Sequence, residues 1–287
     1  MAGRVTVLGA TGGQGSAVVH ALLKNGHLVR AVVRRTDSAR ARALADSGVE
    51  LIRGDLTDGP SLRRSFAGAD AAFAVTTPFE QGTDAEVEQG REIVKAAIAA
   101  GLPHLVLSSV ASANRSTGVP HFESKHRIER FLAEQGAPAT VVAPTYFYDN
   151  LLGDLQSLRS GRLRLPLPPD RPLQQTARQD LGFLVAAIVA DPEGHLGKRI
   201  EVASDAPTPA QMADALSRAL GIDVRAEQTP LSLVRGGSAE MGAMWEFLNG
   251  EGYRVDVGAL HHACPGIAWT SFADWAASLR IAHDGPS

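Results

Sequence analysis

The 287-residue sequence contains a single cysteine, Cys264, which excludes a framework of disulfide bonds. No run of about 18 uncharged apolar residues occurs, which argues against a membrane-spanning helix. The first residues lead directly into an apolar strand pattern, without the basic start and long apolar region of a signal peptide. Neither sign of charge predominates, since 28 lysine and arginine residues face 31 aspartate and glutamate residues. We therefore expect a cytoplasmic globular protein that binds neither nucleic acid nor a membrane.

Short β-branched runs alternate with longer helical patterns through residues 1–150. Strands are predicted at 5–8, 28–33, 51–52, 71–75, 105–107 and 140–142. Helices are predicted between them at 13–24, 38–46, 60–66, 85–100 and 122–134. Because strand and helix alternate at this spacing, the strands should pair in parallel through right-handed crossovers. The sequence thus predicts an α/β fold, a Rossmann-type doubly wound parallel sheet with both faces covered.

The alternation ends after residue 150, and residues 151–287 predict a smaller, mostly helical region that would bind a substrate and interleave with the first domain. Four prolines between Ser160 and Pro172 predict a loop or linker. Thr208-Pro209 is typical of a helix start and predicts a helix over 209–220. The other predicted elements are helices at 180–190, 231–248 and 272–279 and a strand at 199–202.

A glycine-rich turn, Gly9-Ala10-Thr11-Gly12-Gly13-Gln14-Gly15, joins the first predicted strand to the first helix. In phosphate-binding turns the first glycine permits a tight bend, the second lets the backbone approach a pyrophosphate, and the third allows helix and strand to pack closely. The helix N-terminus then offers free N–H groups to the phosphates. We predict that Gly9, Thr11, Gly12, Gln14 and Gly15 bind a dinucleotide, with a purely structural turn as the alternative.

The second strand ends at Arg34-Arg35 and not at an acidic residue. A site for NAD usually has Asp or Glu there, bonded to the ribose 2′-hydroxyl, whereas a guanidinium suits the 2′-phosphate of NADP. Arg34 is the predicted phosphate ligand, and Arg35 is more readily a solvated surface charge. The sequence therefore favours NADP(H) over NAD(H), and residues 1–150 are the predicted NAD(P)-binding domain.

Polar side chains also follow the third and fourth predicted strands. Asp55 is predicted to accept a hydrogen bond from the adenine amino group, with a turn that caps the next helix as the structural alternative. Thr76 ends the fourth strand, and Phe79 follows it. Because the carboxyl ends of parallel strands face the ligand crevice, we expect Thr76 to lie along the cofactor.

These motifs resemble those of the atypical short-chain dehydrogenase/reductases, and within them the NmrA-like group. The resemblance is carried by Gly9–Gly15, Arg34, Gly54-Asp55-Leu56, His121-Phe122-Glu123-Ser124-Lys125 with Ile128-Glu129, and Pro144–Asn150. Ala143 stands where this family usually has an arginine. The resemblance implies NADP(H) binding with some tolerance of NAD(H). It also implies either a reductase of quinones, enones or aryl ethers, or a non-catalytic sensor of the dinucleotide redox state.

The standard Tyr-x-x-x-Lys motif of short-chain dehydrogenases is altered here to His121-x-x-x-Lys125. In that motif lysine lowers the pKa of the tyrosine, which then passes a proton. Tyr146, Tyr148 and Tyr253 do not precede a lysine by four residues. Lys125 is therefore predicted to bind the cofactor and act in catalysis, and His121 to supply the proton. A helix-start histidine and a surface lysine are the structural alternatives.

Two classes of function follow from these residues. The first is an NADPH-dependent oxidoreductase that reduces a carbonyl, quinone or activated double bond of a small aromatic molecule, with the protein supplying position and a proton. The second is a non-catalytic NADP(H) sensor that acts through a protein partner, which the missing tyrosine favours. The predicted substrate contacts are Phe79, Tyr146 and Tyr148.

The C-terminal half suggests two further features. The apolar face of residues 231–248, with Met241 and Trp245, is typical of a core, a dimer contact or a pocket wall, and we expect a monomer or homodimer. We expect no metal site, because His261, His262 and Cys264 fall short of the four ligands of a structural zinc ion.

Overall fold

A computed structural model describes residues 3–279. The strands are β1 (Arg4–Leu8), β2 (Leu28–Val33), β3 (Glu50–Arg53), β4 (Ala71–Val75), β5 (Leu105–Ser108), β6 (Ala139–Pro144), β7 (Tyr146–Phe147), β8 (Arg162–Leu165), β9 (Gln175–Thr176), β10 (Arg199–Val202) and β11 (Arg225–Gln228). The helices are α1 (Gly13–Lys24), α2 (Ala39–Asp46), α3 (Gly59–Phe66), α4 (Thr83–Ala99), α5 (Pro120–Glu134), α6 (Leu155–Arg159), α7 (Arg178–Ala190), α8 (Pro192–His195), α9 (Pro209–Leu220), α10 (Leu231–Gly237), α11 (Ala239–Asn249), α12 (Val257–Ala263) and α13 (Phe272–Ser278).

The chain forms two compact units, each assembled from separate segments. Within the described residues, the first unit holds 3–116 together with Pro120–Ala143 and Leu181–Glu201. The second holds Thr117–Val119, Pro144–Asp180 and 202–279. Among residues 3–279, no helix has the length and apolar character needed to span a bilayer.

The first unit is built on a seven-stranded sheet in the order β10-β6-β5-β4-β1-β2-β3. The pairs that join β3 through β2, β1, β4 and β5 to β6 are all parallel. The strand order reverses between β1 and β4, because the chain returns from β3 to place β4 on the other side of β1. In open α/β sheets ligands bind outside the carboxyl ends of the strands at such a reversal. The predicted Rossmann-type doubly wound sheet is confirmed.

Burial explains the apolar strand pattern of this sheet. All four residues of β5 and all six of β6 are buried, as expected for strands covered by helices on both faces. Leu62 and Phe66 of α3, Ile93 of α4 and Ile128 of α5 belong to one hydrophobic core with the strands. Each predicted element of residues 1–150 lies within two residues of its observed bounds.

The second unit contains two short parallel strand pairs, β8 with β11 and β7 with β9. Asp180 is fully buried in this unit. Its carboxylate accepts hydrogen bonds from Ser204 Oγ at 2.6 Å, Thr270 N at 2.8 Å and Thr270 Oγ1 at 2.6 Å. Three donors offset the cost of removing a carboxylate from water, so Asp180 fixes segments distant in sequence.

Two predictions for the second half are wrong. The proline-rich segment expected to be a loop contains β8, which pairs with β11. The single helix expected over 231–248 is two helices, because Ser238 adopts extended backbone with φ −158° and its hydroxyl caps Met241 N. Gly236 and Gly237 before it weaken a continuous helix. The predicted start of α9 is confirmed, since Thr208 and Gln211 form a capping box.

Helix α7 crosses α1 at a glycine. A Cβ on Gly182 would lie 2.5 Å from the backbone oxygen of Ala17 and 2.8 Å from its carbonyl carbon. The two helix backbones therefore touch, and a side chain at this point would push them apart.

We expect Gly182→Ala to lower the free energy of unfolding by more than about 2 kcal/mol, because the clash is with rigid backbone. The matched control is Gly236→Ala, whose Cβ would meet nothing within 4 Å and which lies in α10. This control should be neutral or stabilising by about 0.5–1 kcal/mol. Denaturant unfolding of both variants measures the difference, and equal stability of the two would show that the α1–α7 contact is loose.

Candidate functional site

The turn between β1 and α1 requires glycine for steric reasons. Gly9 has φ +70°, the left-handed region that favours glycine. A Cβ on Gly15 would lie 2.1 Å from Gly9 O, so the first turn of α1 rests directly on the turn that precedes it. Gly12 N donates to Gly9 O at 2.9 Å and closes the bend. These positions match the tight bend and close helix packing of a phosphate-binding turn.

The N-terminus of α1 is suited to an anion. Within residues 3–279, no side chain caps this helix and its first turn holds no acidic residue. Its first N–H groups and the positive end of its dipole therefore point toward a ligand position rather than toward a protein acceptor. Gly12 has φ −90° and ψ 172°, and its hydrogen atoms leave room for close approach of a phosphate. The turn fits the pyrophosphate of a dinucleotide.

Side chains from two other elements reach the glycine turn. Arg40 of α2 donates from Nη1 to Thr11 O at 3.4 Å, a cation beside the turn that the sequence reasoning did not identify. Ser108, at the carboxyl end of β5, donates from Oγ to Gln14 Oε1 at 2.7 Å. Thr11 and Gln14 thus contact other elements of the first unit, and the hydrogen bond of Gln14 joins the turn to the end of β5.

Arg34 follows the last residue of β2, and its guanidinium is paired with a carboxylate. Nη1 and Nη2 donate to the two carboxylate oxygens of Glu80 at 2.9 and 3.3 Å. Both side chains are largely exposed, at 69% and 54%. Arg35 instead pairs with Asp37 at the surface. Glu80, from the segment after β4, therefore places a carboxylate beside the end of β2.

Asp55 follows β3 and forms an Asx turn. Its Oδ1 accepts from Thr57 N at 2.9 Å and from Thr57 Oγ1 at 2.7 Å. These hydrogen bonds, with a smaller contribution from the charge of Arg34, lower the pKa of Asp55 and keep it an acceptor. The helix cap considered for Asp55 belongs to Asp58, which accepts from Ser61 N.

Lys125 is held in a closed network at the carboxyl end of β4. Nζ donates to Thr76 O at 2.8 Å and Thr76 Oγ1 at 3.0 Å, and pairs with Glu86 Oε1 at 3.0 Å. Glu86 is fully buried and also accepts from Thr76 Oγ1 at 3.1 Å and Ser124 Oγ at 2.5 Å. The buried ammonium group thus has two hydrogen-bond acceptors on Thr76 and a carboxylate counter-ion in Glu86. The structural alternative of a surface lysine is wrong.

His121 and Phe79 lie beside one another. His121 is in the first turn of α5, one turn before Lys125, and its ring centroid is 5.8 Å from that of Phe79. The other side of His121 meets Phe122 edge-on at 4.9 Å. Phe79 is 68% exposed, so an apolar ring faces solvent next to the imidazole.

The two predicted tyrosines of the second unit differ in exposure. Tyr146 is half-buried against Trp245, with ring centroids 5.4 Å apart, and burial raises its pKa. Tyr148 is fully buried between Phe272 and Trp275, and its hydroxyl donates to Thr270 O at 3.0 Å. Burial raises the pKa of Tyr148 strongly. The prediction that Tyr148 contacts the substrate is wrong, because its side chain has no exposed surface that a ligand could reach.

His261 and Cys264 are half-buried in the second unit. His261 stacks on Trp269 at 4.4 Å and its Nε2 lies 3.2 Å from Ala203 O. Burial raises the pKa of the free thiol of Cys264. The described part of the chain contains no group of three or more His, Cys, Asp or Glu side chains arranged to hold a metal ion.

Comparison with known proteins gives one family and several named relatives. The model of the NmrA-like family matches residues 1–270. An NmrA-like family domain-containing oxidoreductase of Aspergillus versicolor is 33% identical over 241 residues, which cover 74% of this chain and 67% of that protein. A (4-alkanoyl-5-oxo-2,5-dihydrofuran-3-yl)methyl phosphate reductase of Streptomyces griseus is 29% identical over 233 residues, 80% of this chain and 79% of that one.

Solved structures share the fold. The negative transcriptional regulator NmrA in complex with NADP superposes with a TM-score of 0.78, at 24% identity, over 97% of this chain and 95% of that chain. At this identity the similarity concerns the architecture, and it agrees with the strand order described above.

Replacing Glu86 tests the Lys125 network. We expect Glu86→Gln to lower the free energy of unfolding by about 3–5 kcal/mol, because Lys125 becomes a buried charge without a counter-ion. Adding Lys125→Met should recover most of this loss, since both charges are then gone. Glu88→Gln is the control: Glu88 is exposed on the same helix, and its loss should change stability by less than about 0.5 kcal/mol. A Glu86→Gln variant as stable as the control would contradict the pairing.

Proposed function

This chain belongs to the NmrA-like family, and we propose that it is an NADPH-dependent oxidoreductase which reduces a carbonyl, quinone or activated double bond of a small aromatic molecule. The observation that carries the proposal is the glycine turn with its uncapped helix N-terminus. The named oxidoreductases among its relatives support the reaction class. NAD(H) would be accepted less well than NADP(H).

Different residues of the first unit would bind different parts of the cofactor. The backbone of Gly9–Gly15 would hold the pyrophosphate, and Asp55 the adenine amino group. Arg34 would hold the 2′-phosphate, with Arg40 as an additional cation near the turn. Thr76 and Lys125, joined at the end of β4, would lie toward the nicotinamide. When bound, NADPH supplies a hydride.

Reduction of a carbonyl, quinone or activated double bond also needs a proton. Lys125 donates two hydrogen bonds to Thr76 and pairs with Glu86, so its proposed role is to hold Thr76 and the end of β4 rather than to release a proton. His121 is the proposed donor, because an imidazole exchanges protons near neutral pH. Its position beside the exposed ring of Phe79 supports a substrate with a flat aromatic or conjugated ring.

The substrate class is supported by one relative in particular. The Streptomyces griseus reductase is named for a dihydrofuranone whose ring double bond is conjugated to carbonyl groups. Reduction of such a bond needs a hydride at one carbon and a proton at the other. The cofactor and His121 would meet these two requirements in this chain. The substrate itself would be a small molecule, bound by a monomer or homodimer.

A non-catalytic NADP(H) sensor is the second candidate. The lack of a Tyr-x-x-x-Lys pair favours it, because the usual proton donor is missing. The burial of Lys125 against Glu86 also favours it, because the lysine charge is already paired inside the protein. A sensor would bind the cofactor, reduce no substrate and act through a protein partner.

Cofactor preference is tested by thermal shift. We expect NADPH to raise the melting temperature more than NADH at equal concentration, because Arg34 can bind the 2′-phosphate. Arg34→Glu should lower the affinity for NADPH by about 10- to 100-fold, because a charge-assisted hydrogen bond is lost. Arg64→Glu, the same charge change in the last turn of α3, is the control and should keep the preference. Equal shifts with both cofactors in the unaltered protein would contradict the NADP(H) assignment.

Turnover separates the two functions. Oxidation of NADPH is followed by absorbance with a panel of quinones and enones. We expect at least one substrate to be reduced, and His121→Ala to lower turnover by about 10²–10⁴-fold with cofactor binding kept. Binding of NADPH without turnover across the panel would favour the sensor. Full turnover by His121→Ala at every pH would show that the proton comes from another group or from solvent.

A further inference from the structure

The segment after β4 brings a carboxylate to the site proposed for the 2′-phosphate. Glu80 reaches the guanidinium of Arg34 with both carboxylate oxygens, at 2.9 and 3.3 Å. Such a two-point pair has a defined geometry even though both side chains are exposed. Glu80 therefore occupies the face of Arg34 that a 2′-phosphate would use.

The backbone of this segment directs Glu80 toward β2. Gly82 N donates to Pro78 O at 2.7 Å, which closes a turn over Pro78–Gly82. Gly82 has φ +91°, a conformation that favours glycine. The turn ends where α4 begins, so Glu80 lies on a short loop anchored by β4 on one side and α4 on the other.

The carboxylate of Glu80 would interact in opposite ways with the ribose of NAD(H) and with that of NADP(H). A carboxylate beside the adenosine ribose accepts hydrogen bonds from the 2′-hydroxyl of NAD(H). The same carboxylate repels a 2′-phosphate, which carries about two negative charges. Arg34 attracts the phosphate, so the two side chains act against each other.

We propose that Glu80 is a specificity-determining residue, which lowers the affinity for NADP(H) and raises that for NAD(H) at the site assigned to Arg34. This inference rests on the proposed NADP(H)-binding function. A single and a double charge about 6 Å apart in water repel by an energy equivalent to about tenfold in affinity, and salt reduces the effect. Glu80 thus explains how one site would accept both cofactors despite the arginine.

The test uses two nucleotides that differ only in the 2′-phosphate, 2′,5′-ADP and 5′-AMP, and measures Kd by titration calorimetry. We expect Glu80→Gln to bind 2′,5′-ADP about 3- to 10-fold more tightly than the unaltered protein at low salt, with the gain reduced at high salt. Its affinity for 5′-AMP should be unchanged or lower. Glu88→Gln removes the same charge from an exposed residue of α4 and should leave the ratio of the two Kd values unchanged.

Three outcomes would overturn the inference. One is unchanged affinity of Glu80→Gln for 2′,5′-ADP. Another is an equal gain for both nucleotides, which would indicate a general charge or stability effect. A third is a gain that does not depend on salt. If the unaltered protein binds neither nucleotide, the proposed cofactor site is wrong, and so is the role of Glu80. If it binds both nucleotides and Glu80→Gln changes neither Kd, only the role of Glu80 is rejected.

Discussion

The contact between Gly15 and Gly9 is the constraint on which the rest of the candidate site depends. No side chain fits between the first turn of α1 and the carbonyl of Gly9, since a Cβ there would lie 2.1 Å from that oxygen. The close approach sets the direction of the helix axis relative to β1, and with it the direction of the free N–H groups. Gln14 can then accept a hydrogen bond from Ser108 of β5, and the carbonyl of Thr11 can accept one from Arg40. One steric requirement thus orients the turn, the helix dipole and two side-chain contacts.

Charge is balanced inside the protein along the carboxyl edge of the sheet. Glu86 neutralises Lys125 beside β4. One helical turn further along α5, Glu129 accepts from Ser109 and pairs with Arg199 of β10 at 2.9 Å. Because these groups satisfy one another, they hold α5 against the sheet but offer few protons to a substrate. This arrangement supports the proposal that His121, and not Lys125, supplies the proton.

Much of the first unit was predictable, because its central strands β4, β5 and β6 are largely apolar runs and its long helices α1, α4 and α5 each bury an apolar side. The second unit was less so. Strand β8 alternates arginine and leucine over only four residues, and its partner β11 lies about 60 residues later, so local patterns gave no sign of the pair. The break at Ser238 comes from a local cap, Met241 N to Ser238 Oγ, which the apolar pattern of 231–248 does not show.

Within the site, the residues of the glycine turn were predictable from spacing, whereas their ionic partners were not. Glu86 carries a signal that sequence reasoning missed: it lies in register with Gly90, Ile93 and Ala97, the buried side of α4. A carboxylate in an apolar stripe needs a buried cation, and Lys125 supplies it. Glu80 carries no such signal, because its contact with Arg34 is made across the sheet edge from a different strand. Tyr148 was wrongly predicted to contact the substrate, because its place in a sequence motif does not show whether its side chain is buried.

The most direct test of the dinucleotide site is a titration of the Gly12→Val variant with NADPH, followed by the change in protein fluorescence and checked by circular dichroism. Gly12 has φ −90° and ψ 172°, backbone that valine adopts, so the variant should fold. Its side chain would fill the space proposed for the pyrophosphate. We predict that the variant folds but does not bind NADPH, while the unaltered chain binds it. A folded Gly12→Val variant that binds NADPH as tightly as the unaltered chain would contradict it.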